Sequence, residues 1–547
     1  MPGNPDSLAG KRKPRECTHL ATPVSLSRLH GFGVASPLSD CAPREPCCAS
    51  LGWRFFSREP AKWEKHHLRR AGRKEYPAPA TSRMRPMGRR QPPYGVGGNI
   101  CTPGLSFSVS CPVVPVAAGF RDVSRAAGSS MRIVIANRYF YPDQSATSRM
   151  VSGLAFQLAR RGHTVHAVAS RRHHNRTDIV LPASETVNGV HIHRVAGSAF
   201  GRGKLIGRAI DYLSFHASAA WWMLTATRSG DVCVLCTDPP MLSATARLPI
   251  ALRGGIPVNW VMDLFPETAI ELGMFSRFPR LAAFAQRLRN RAHRKSGLTI
   301  CPTGSMARYL VACGEDKTAI VHHWSDGNEI RPVDRAENPL RRSWGLGERF
   351  VVGYSGNFGR AHEFATLLDA AERLRDEPNI RFLLIGEGQQ RRHVEDEVAR
   401  RNLTNVELQP FQPSEALPFS LSLPDVHIVS LLPALEHCVI PSKFYGVLAA
   451  GRPTIFVGAQ DGEVATVVGR HGCGESVEPG DVDGLVASIT GMANDPARCA
   501  AMGHAARRLF ESEYTMPIGV DAWLAAVSGL ASEATPVLAP GRRATAT

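Results

Sequence analysis

The chain lacks an uninterrupted apolar run that could span a bilayer. Residues 109–120 are broken by Cys111-Pro112 and Pro115, and they lie too far from Met1 to be a signal peptide. The apolar pattern at 205–226 contains Arg208, Asp211 and His216, which rule against a spanning helix. A disulfide framework is missing too. Six of the 13 cysteines precede residue 131 and seven follow it, without framework spacing, so a reducing compartment is expected. Cys233-Val-Leu-Cys236 has no second pair to complete a zinc site. In a strand its two cysteines face opposite sides, so both should be buried. The His pairs (His173-His174, His191/His193, His322-His323) have no acidic or Cys partners on a common face, so no metal is expected.

Acidic residues are scarce, 48 against 65 Lys+Arg, for a net charge of +17. Residues 1–130 hold 20 Lys+Arg and 8 Asp+Glu, leaving only +5 for the other 417 residues. A nucleic-acid-binding protein is therefore disfavoured as a class. The segment 1–130 is rich in Pro, Gly, Ser and Arg and sustains no period of 2 or 3.6. It reads as a disordered extension, or as translation from upstream of a true start at Met131. A basic RNA- or membrane-binding arm is the alternative.

From Met131 strands and helices alternate. Strands are expected at 133–136, 164–169, 190–194, 232–236, 258–262 and 298–301, with helices at 147–161, 205–226, 240–253, 279–295 and 305–311. A polar stretch at 328–347 reads as a linker. A second alternating run follows, with strands at 350–354, 381–385, 406–409, 426–430, 454–457 and 474–477 and helices between them. The fold class is α/β, with two Rossmann-like domains facing across a cleft. The domains are 131–327 and 348–515, followed by a C-terminal helix at 516–532 that could pack back on the first domain and a loose tail at 533–547.

Two strand-to-helix turns carry the chemistry. One is Tyr354-Ser-Gly-Asn-Phe-Gly-Arg-Ala-His362; the other is Pro441-Ser442-Lys443 before a short helix ending at Gly451. Glycine lets backbone N–H groups approach an anion closely. With a cation in each, Arg360 and Lys443, they suggest a diphosphate held by Gly356, Asn357, Phe358, Gly359 and Ser442. The bland alternatives are a solvated helix start for Arg360 and a plain N-cap for Ser442. Gly386-Glu387-Gly388 opens the next helix, either as a nucleotide-lining loop or as a simple turn. Phe411 either lies beside a base or packs in the core. In the first domain, Asp263 and Glu267 follow a buried strand. Asp263 could accept a hydroxyl proton, and Pro266-Glu267 also suits a helix start. Tyr139, Asp143 and Ser145 to Thr147 sit at the first strand–helix turn, facing the same cleft. His322, His323 and Trp324 are expected to reach towards that cleft. Asp481-Val482-Asp483 imitates a metal motif but reads as a helix cap. The 205–226 helix could lie on a membrane surface beside Arg202, Lys204 and Arg208, with ordinary core packing as the alternative.

From Met131 to about Leu530 the chain resembles family-4 glycosyltransferases of the GT-B fold, in particular the bacterial surface-polysaccharide subgroup of the colanic-acid and fucosaminyl-transferase kind. The matching residues are Tyr139–Ser148, Arg161–Val165, Asp263–Glu267, His323–Asp326, Tyr354–His362, Gly386–Gly388, Pro441–Tyr445 and Ala449–Pro453. The resemblance implies metal-independent, retaining transfer of a hexosyl- or N-acetylhexosaminyl-type sugar, without a cofactor. The donor would be a nucleotide sugar, UDP-linked by expectation, on the second domain. The acceptor would be a lipid-linked saccharide on the first, at the cytoplasmic membrane face. Asp263, Arg360 and Lys443 become the catalytic candidates, and Tyr139, Asp143, Ser145 and Glu267 the acceptor-binding ones. Many relatives carry two glutamates eight apart near the second turn. Here those positions are Cys438 and Gly446; Glu436 could replace the first, while the second, which holds the donor ribose in relatives, has no substitute. A UDP-sugar 2-epimerase of the same fold is the runner-up.

Overall fold

The computed structural model describes residues 130–173, 179–198, 200 and 205–533. The readings made for the basic extension, His174, Arg202, Lys204 and the tail beyond 533 lie outside the described residues. Eight strands build the first sheet: β1 (Arg132–Ala136), β2 (Thr164–Ser170), β3 (Ser184–Val187), β4 (Val190–Val195), β5 (Val232–Cys236), β6 (Ile256–Trp260), β7 (Leu298–Cys301) and β8 (Thr318–Ile320). Their order is β3-β4-β2-β1-β5-β6-β7-β8, all parallel except the β3–β4 hairpin. The connecting helices are α1 (Ala146–Arg160), α2 (Leu205–Ala226), α3 (Leu242–Leu252), α4 (Glu267–Glu271), α5 (Pro279–Arg294) and α6 (Gly304–Ala312).

After α7 (Pro339–Ser343) comes a second, fully parallel sheet of β9 (Phe350–Ser355), β10 (Ile380–Ile385), β11 (Val406–Gln409), β12 (Val426–Ser430), β13 (Thr454–Val457) and β14 (Gly474–Val477). Its order is β11-β10-β9-β12-β13-β14. Its helices are α8 (Ala365–Arg373), α9 (Arg391–Arg400), α10 (Leu417–Ser422), α11 (Lys443–Ala449), α12 (Glu463–His471), α13 (Val482–Asn494), α14 (Pro496–Glu513) and α15 (Met516–Glu533).

Both faces of the first sheet are covered, so its strands are apolar throughout. Ile133 and Ile135 of β1 pack with α1 and α15, while Val134 and Ala136 pack with α2 and α3. Cys233 and Cys236 divide between those same two cores, and both are buried thiols. Helix α1 follows directly from its sequence. Ser145 caps it by accepting from the Ser148 N–H, and Val151, Leu154, Ala155 and Leu158 form the buried stripe.

Some elements differ from the sequence reading. The hairpin strand β3 was not expected, although Asn188-Gly189, both at positive φ, is a strong hairpin turn signal. Strand β6 ends at Trp260 rather than 262, because Asp263 pairs with Val439 of the second half instead of with the sheet. The stretch read as a linker is packed: Asn338 and Arg341 are buried, with Asn338 Nδ2 donating to the Phe419 carbonyl at 2.8 Å and Arg341 Nη1 to that of Leu423 at 3.1 Å.

Helix α15 lies against the first sheet. Trp523 is fully buried, with its ring 6.3 Å from Trp260, which stacks on Trp324 at 6.0 Å. Gly519 makes room for this, since a Cβ there would come within 2.1 Å of the Trp324 ring. Trp523→Ala should cost about 3–5 kcal/mol through the cavity left behind. A lower urea midpoint would show it, with Ser528→Ala, on the exposed side of α15, as the unchanged control.

Candidate functional site

The two halves meet at the C-terminal ends of their strands. Asp263 forms an antiparallel bridge with Val439, and the Leu264 N–H donates to the Cys438 carbonyl at 2.8 Å. Around this crossing one apolar cluster joins Val261, Leu264, Met306 and Leu310 to Leu435, Cys438, Ile440 and Phe444. Ser305 Oγ donates to the Glu436 carbonyl at 3.2 Å. The walls of the cleft are thus held together by main chain and core.

On the second wall the two glycine turns brace each other. The Phe358 N–H donates to the Glu387 carbonyl at 2.8 Å, and Gln390 Nε2 to the Gly359 carbonyl at 2.7 Å. Gly386 and Gly388 have φ near +145° and +149°. A Cβ at Gly386 would sit 1.9 Å from the Gly356 oxygen, and one at Gly388 2.7 Å from the Phe358 nitrogen. These glycines are therefore required by turn-on-turn packing, whatever they bind. The Phe358 N–H, expected to face the donor, is therefore taken by the Glu387 carbonyl, and its side chain is fully buried and stacks on Phe364 at 5.0 Å. Asn357 and Glu387 are exposed at the turn tips. Arg391, which the sequence reading missed, donates to the Gly386 and Gln409 carbonyls at 2.6 and 2.8 Å and clamps two strand ends. Phe411 is 54% exposed, which removes the core alternative.

Lys443 is the centre of this wall. Its Nζ donates to the Tyr354 hydroxyl at 2.5 Å and lies 3.3 Å from His362 Nε2. The Tyr354 hydroxyl in turn donates to the Asn357 carbonyl at 2.7 Å, and His362 Nδ1 lies 2.6 Å from the Ser430 carbonyl. Burial and the neighbouring lysine push the His362 pKa down to about 3, so the ring is neutral. Nδ1–H then faces the carbonyl and Nε2 accepts from Lys443. Two of the three ammonium protons are thereby assigned, one remains, and no carboxylate pairs with Lys443 among the described residues. Loss of hydration lowers the Lys443 pKa well below the usual lysine value, although its side chain is only half-buried by area. Its stem lies over Gly356, where a Cβ would come within 3.2 Å of Cε. Tyr354 and His362 bracket the turn that the sequence had marked, but their joint contact with Lys443 depends on the fold.

Other expected residues have different placements. Arg360 Nη2 donates to the Leu272 carbonyl of the first half at 2.7 Å, so here it ties the walls together. Ser442 is exposed and makes no side-chain cap. Glu436 Oε1 accepts from the Glu463 N–H at the start of α12 at 2.6 Å, while its Oε2 has no protein partner. Burial raises the Glu436 pKa. The Cβ direction at Gly446 meets Leu421 and Ile330, so that position faces the core.

On the first wall, the Asp263 side chain has no ion-pair partner among the described residues. Crowding from both halves raises its pKa to about 6, although the side chain still reaches water within the cleft. Beside it lies a cavity of about 20 Å³, room for one water, lined by Thr237, Asn259, Asp263, Arg289 and His293. Asn259 Oδ1, Arg289 Nε and Nη1, and His293 Nδ1 have no protein partner. Glu267 is corrected as an acceptor contact: it is buried and ion-paired to Arg289, and it also accepts from Gln286 Nε2 and the Tyr309 hydroxyl, each at 2.9 Å. Asp143 and Ser145 act as turn and cap, Asp143 Oδ1 accepting from the Ser145 N–H at 2.8 Å. Tyr139 is mostly buried beneath Arg138. His322, His323 and Trp324 do not line the cleft as a group. His322 Nδ1 lies 2.9 Å from the Pro302 carbonyl, His323 is buried beside Tyr445, and Trp324 is core. Asp481 caps α13 by accepting from the Gly484 N–H at 2.9 Å. No group of three metal-ligating side chains occurs among the described residues.

Comparison with known proteins fits this architecture. Residues 337–509 match the family Glycosyl transferases group 1. Over 381 residues the chain is 23% identical to WcaI of Escherichia coli (strain K12), named as a putative colanic acid biosynthesis glycosyl transferase; the match covers 66% of this chain and 91% of that one. Among solved structures, sucrose-phosphate synthase from Thermosynechococcus elongatus superposes with a TM-score of 0.60 at 16% identity, covering 74% of this chain and all of that one. Anabaena HepE, solved in complex with UDP and glucose, gives 0.55 at 13% identity, covering 73% of this chain and all of its own. The match assigns residues 337–509 to the Glycosyl transferases group 1 family, and the two-sheet architecture of the chain is the GT-B fold that these solved structures share.

Proposed function

We propose that the chain transfers a sugar, with retention, from a UDP-sugar held on the turns of the second sheet to a lipid-linked saccharide presented beside Asp263, in surface-polysaccharide assembly. The observation that carries this reading is the Lys443 ammonium, fixed by two neutral partners with one proton left over. A cation so held stabilises the charge that builds on the leaving diphosphate. The glycine turns, Asn357, Glu387 and exposed Phe411 form the rest of the donor wall. HepE, of the same fold, is solved with UDP and glucose, which supports the donor class. The name of WcaI supports the pathway.

In the transfer, the acceptor oxygen bonds to the sugar carbon as the bond to the diphosphate oxygen breaks. The acceptor proton passes to Asp263 or to the departing phosphate. With a pKa of about 6, Asp263 is mostly ionised at neutral pH yet basic enough to take that proton. Attachment to the inner membrane face follows from the lipid-linked acceptor.

Lys443→Ala should weaken UDP binding on the order of 100-fold by calorimetry, the scale of losing one such donor group at about 3 kcal/mol. Unchanged affinity would refute the assignment. For Asp263, the ionised form is the active one, so turnover should fall about tenfold per pH unit below about 6. Asp263→Asn should abolish turnover and this acid limb together while leaving UDP affinity intact. UDP-sugar consumed without any acceptor would point instead to the 2-epimerase.

A further inference from the structure

Helix α3 lies between α2 and α5 on one face of the first sheet, and the outer surface of this layer is unusual for one facing water. Leu248 and Leu252 of α3 are exposed, as are Leu281, Phe284 and Leu288 of α5, with Phe284 62% accessible. The three α5 residues, at i, i+3 and i+7, form one stripe along the helix. Exposed Arg280, Arg287, Arg291 and Arg294 run along its flank. Helices α2, α3 and α5 together contain seven arginines and a single acid, Asp211. That acid is buried, accepting from Ser198 Oγ at 2.7 Å and the Phe200 N–H at 3.0 Å. The layer therefore presents apolar side chains and positive charge with no exposed acid of its own.

We propose that this face, centred on α5, is the docking surface for an anionic lipid bilayer. A second copy of the chain would bring the same arginines against themselves, whereas a bilayer with acidic headgroups supplies negative charge and apolar depth together. Among the described residues no helix is long and apolar enough to cross a membrane, so α5 lies in the headgroup plane. Arginine stems cover the stripe while their guanidinium groups reach the phosphates. The inner side of the same helix carries Arg289 and His293, which line the cavity beside Asp263. One helix thus joins the bilayer surface to the acceptor wall. That last link rests on the acceptor reading above; the docking itself does not.

The test is flotation of the full chain with vesicles. Wild type should bind mixed phosphatidylglycerol/phosphatidylcholine vesicles in a salt-sensitive manner and ignore pure phosphatidylcholine. Phe284→Glu with Leu288→Glu should abolish binding. Replacing Arg280, Arg287 and Arg291 by Gln should lower it about fivefold per arginine. Both variants should keep wild-type circular dichroism and UDP affinity. Undiminished binding in both variants would assign attachment elsewhere, such as to the basic extension, and overturn the proposal. So would equal binding to neutral vesicles, or a wild-type dimer that the variants dissolve. Vesicle binding is read without any sugar, so a failed UDP-binding assay would sink the transferase reading and leave the docking result standing.

Discussion

The backbone crossing at Asp263 and Val439, with the Leu264 N–H on the Cys438 carbonyl, fixes where the chemistry of this molecule can stand. Peptide groups buried in an apolar cluster must be paired, so a slip of register here would leave orphaned donors and acceptors in the core. Asp263 is itself part of the crossing, and Lys443 follows Val439 by four residues. The distance between the two walls is therefore set by main chain rather than by flexible side chains. Arg360 on the Leu272 carbonyl and Ser305 on the Glu436 carbonyl reinforce the same seam.

Neutral partners for Lys443 make physical sense. A carboxylate beside the ammonium would offset its desolvation but would also cancel the field that a diphosphate needs. Tyr354 and His362 orient the group through lone pairs, and each hands its own proton to a carbonyl, Asn357 or Ser430. No carboxylate among the described residues offsets the charge, and loss of hydration lowers the Lys443 pKa. Across the cleft Asp263 shows the opposite case, a carboxylate with no ion-pair partner among the described residues, its pKa raised by loss of hydration.

Much of the fold was legible because both sheets are buried on two faces, which leaves continuous apolar runs separated by helical periods. The glycine turns and Lys443 were legible for the same reason: loops at strand ends carry distinctive residues. What could not be read was which partner each residue would choose. Phe358 looks like a turn residue and is core; Phe411 looks equally like core and is exposed. Glu267 sits in the right loop, but Arg289, twenty-two residues away, captures it. Gly446 counted as the site of a missing glutamate, yet its Cβ direction points into apolar packing. The β3–β4 turn was a missed signal rather than an absent one, since Asn188-Gly189 is written plainly in the sequence.

The choice between α2 and α5 shows where sequence patterns reach their limit. Helix α2 draws attention through Trp221, Trp222, Tyr212 and Phe215; Phe215 is buried and Trp222 sits partly buried against His193, while Trp221 and Leu213 are exposed, beside a single arginine, Arg208. An apolar stripe at helical spacing reads the same whether it meets a core or faces outwards. The flank is what separates the two cases. Helix α5 has five arginines and no acid, and its inner side is already occupied by Ala282, Arg289, Ala292 and His293. With the core side of the helix filled by other residues, Leu281, Phe284 and Leu288 have no interior left to enter. Their exposure thus follows from the packing of the helix, and the basic flank gives that exposed stripe a partner that water and a second copy of the chain cannot supply.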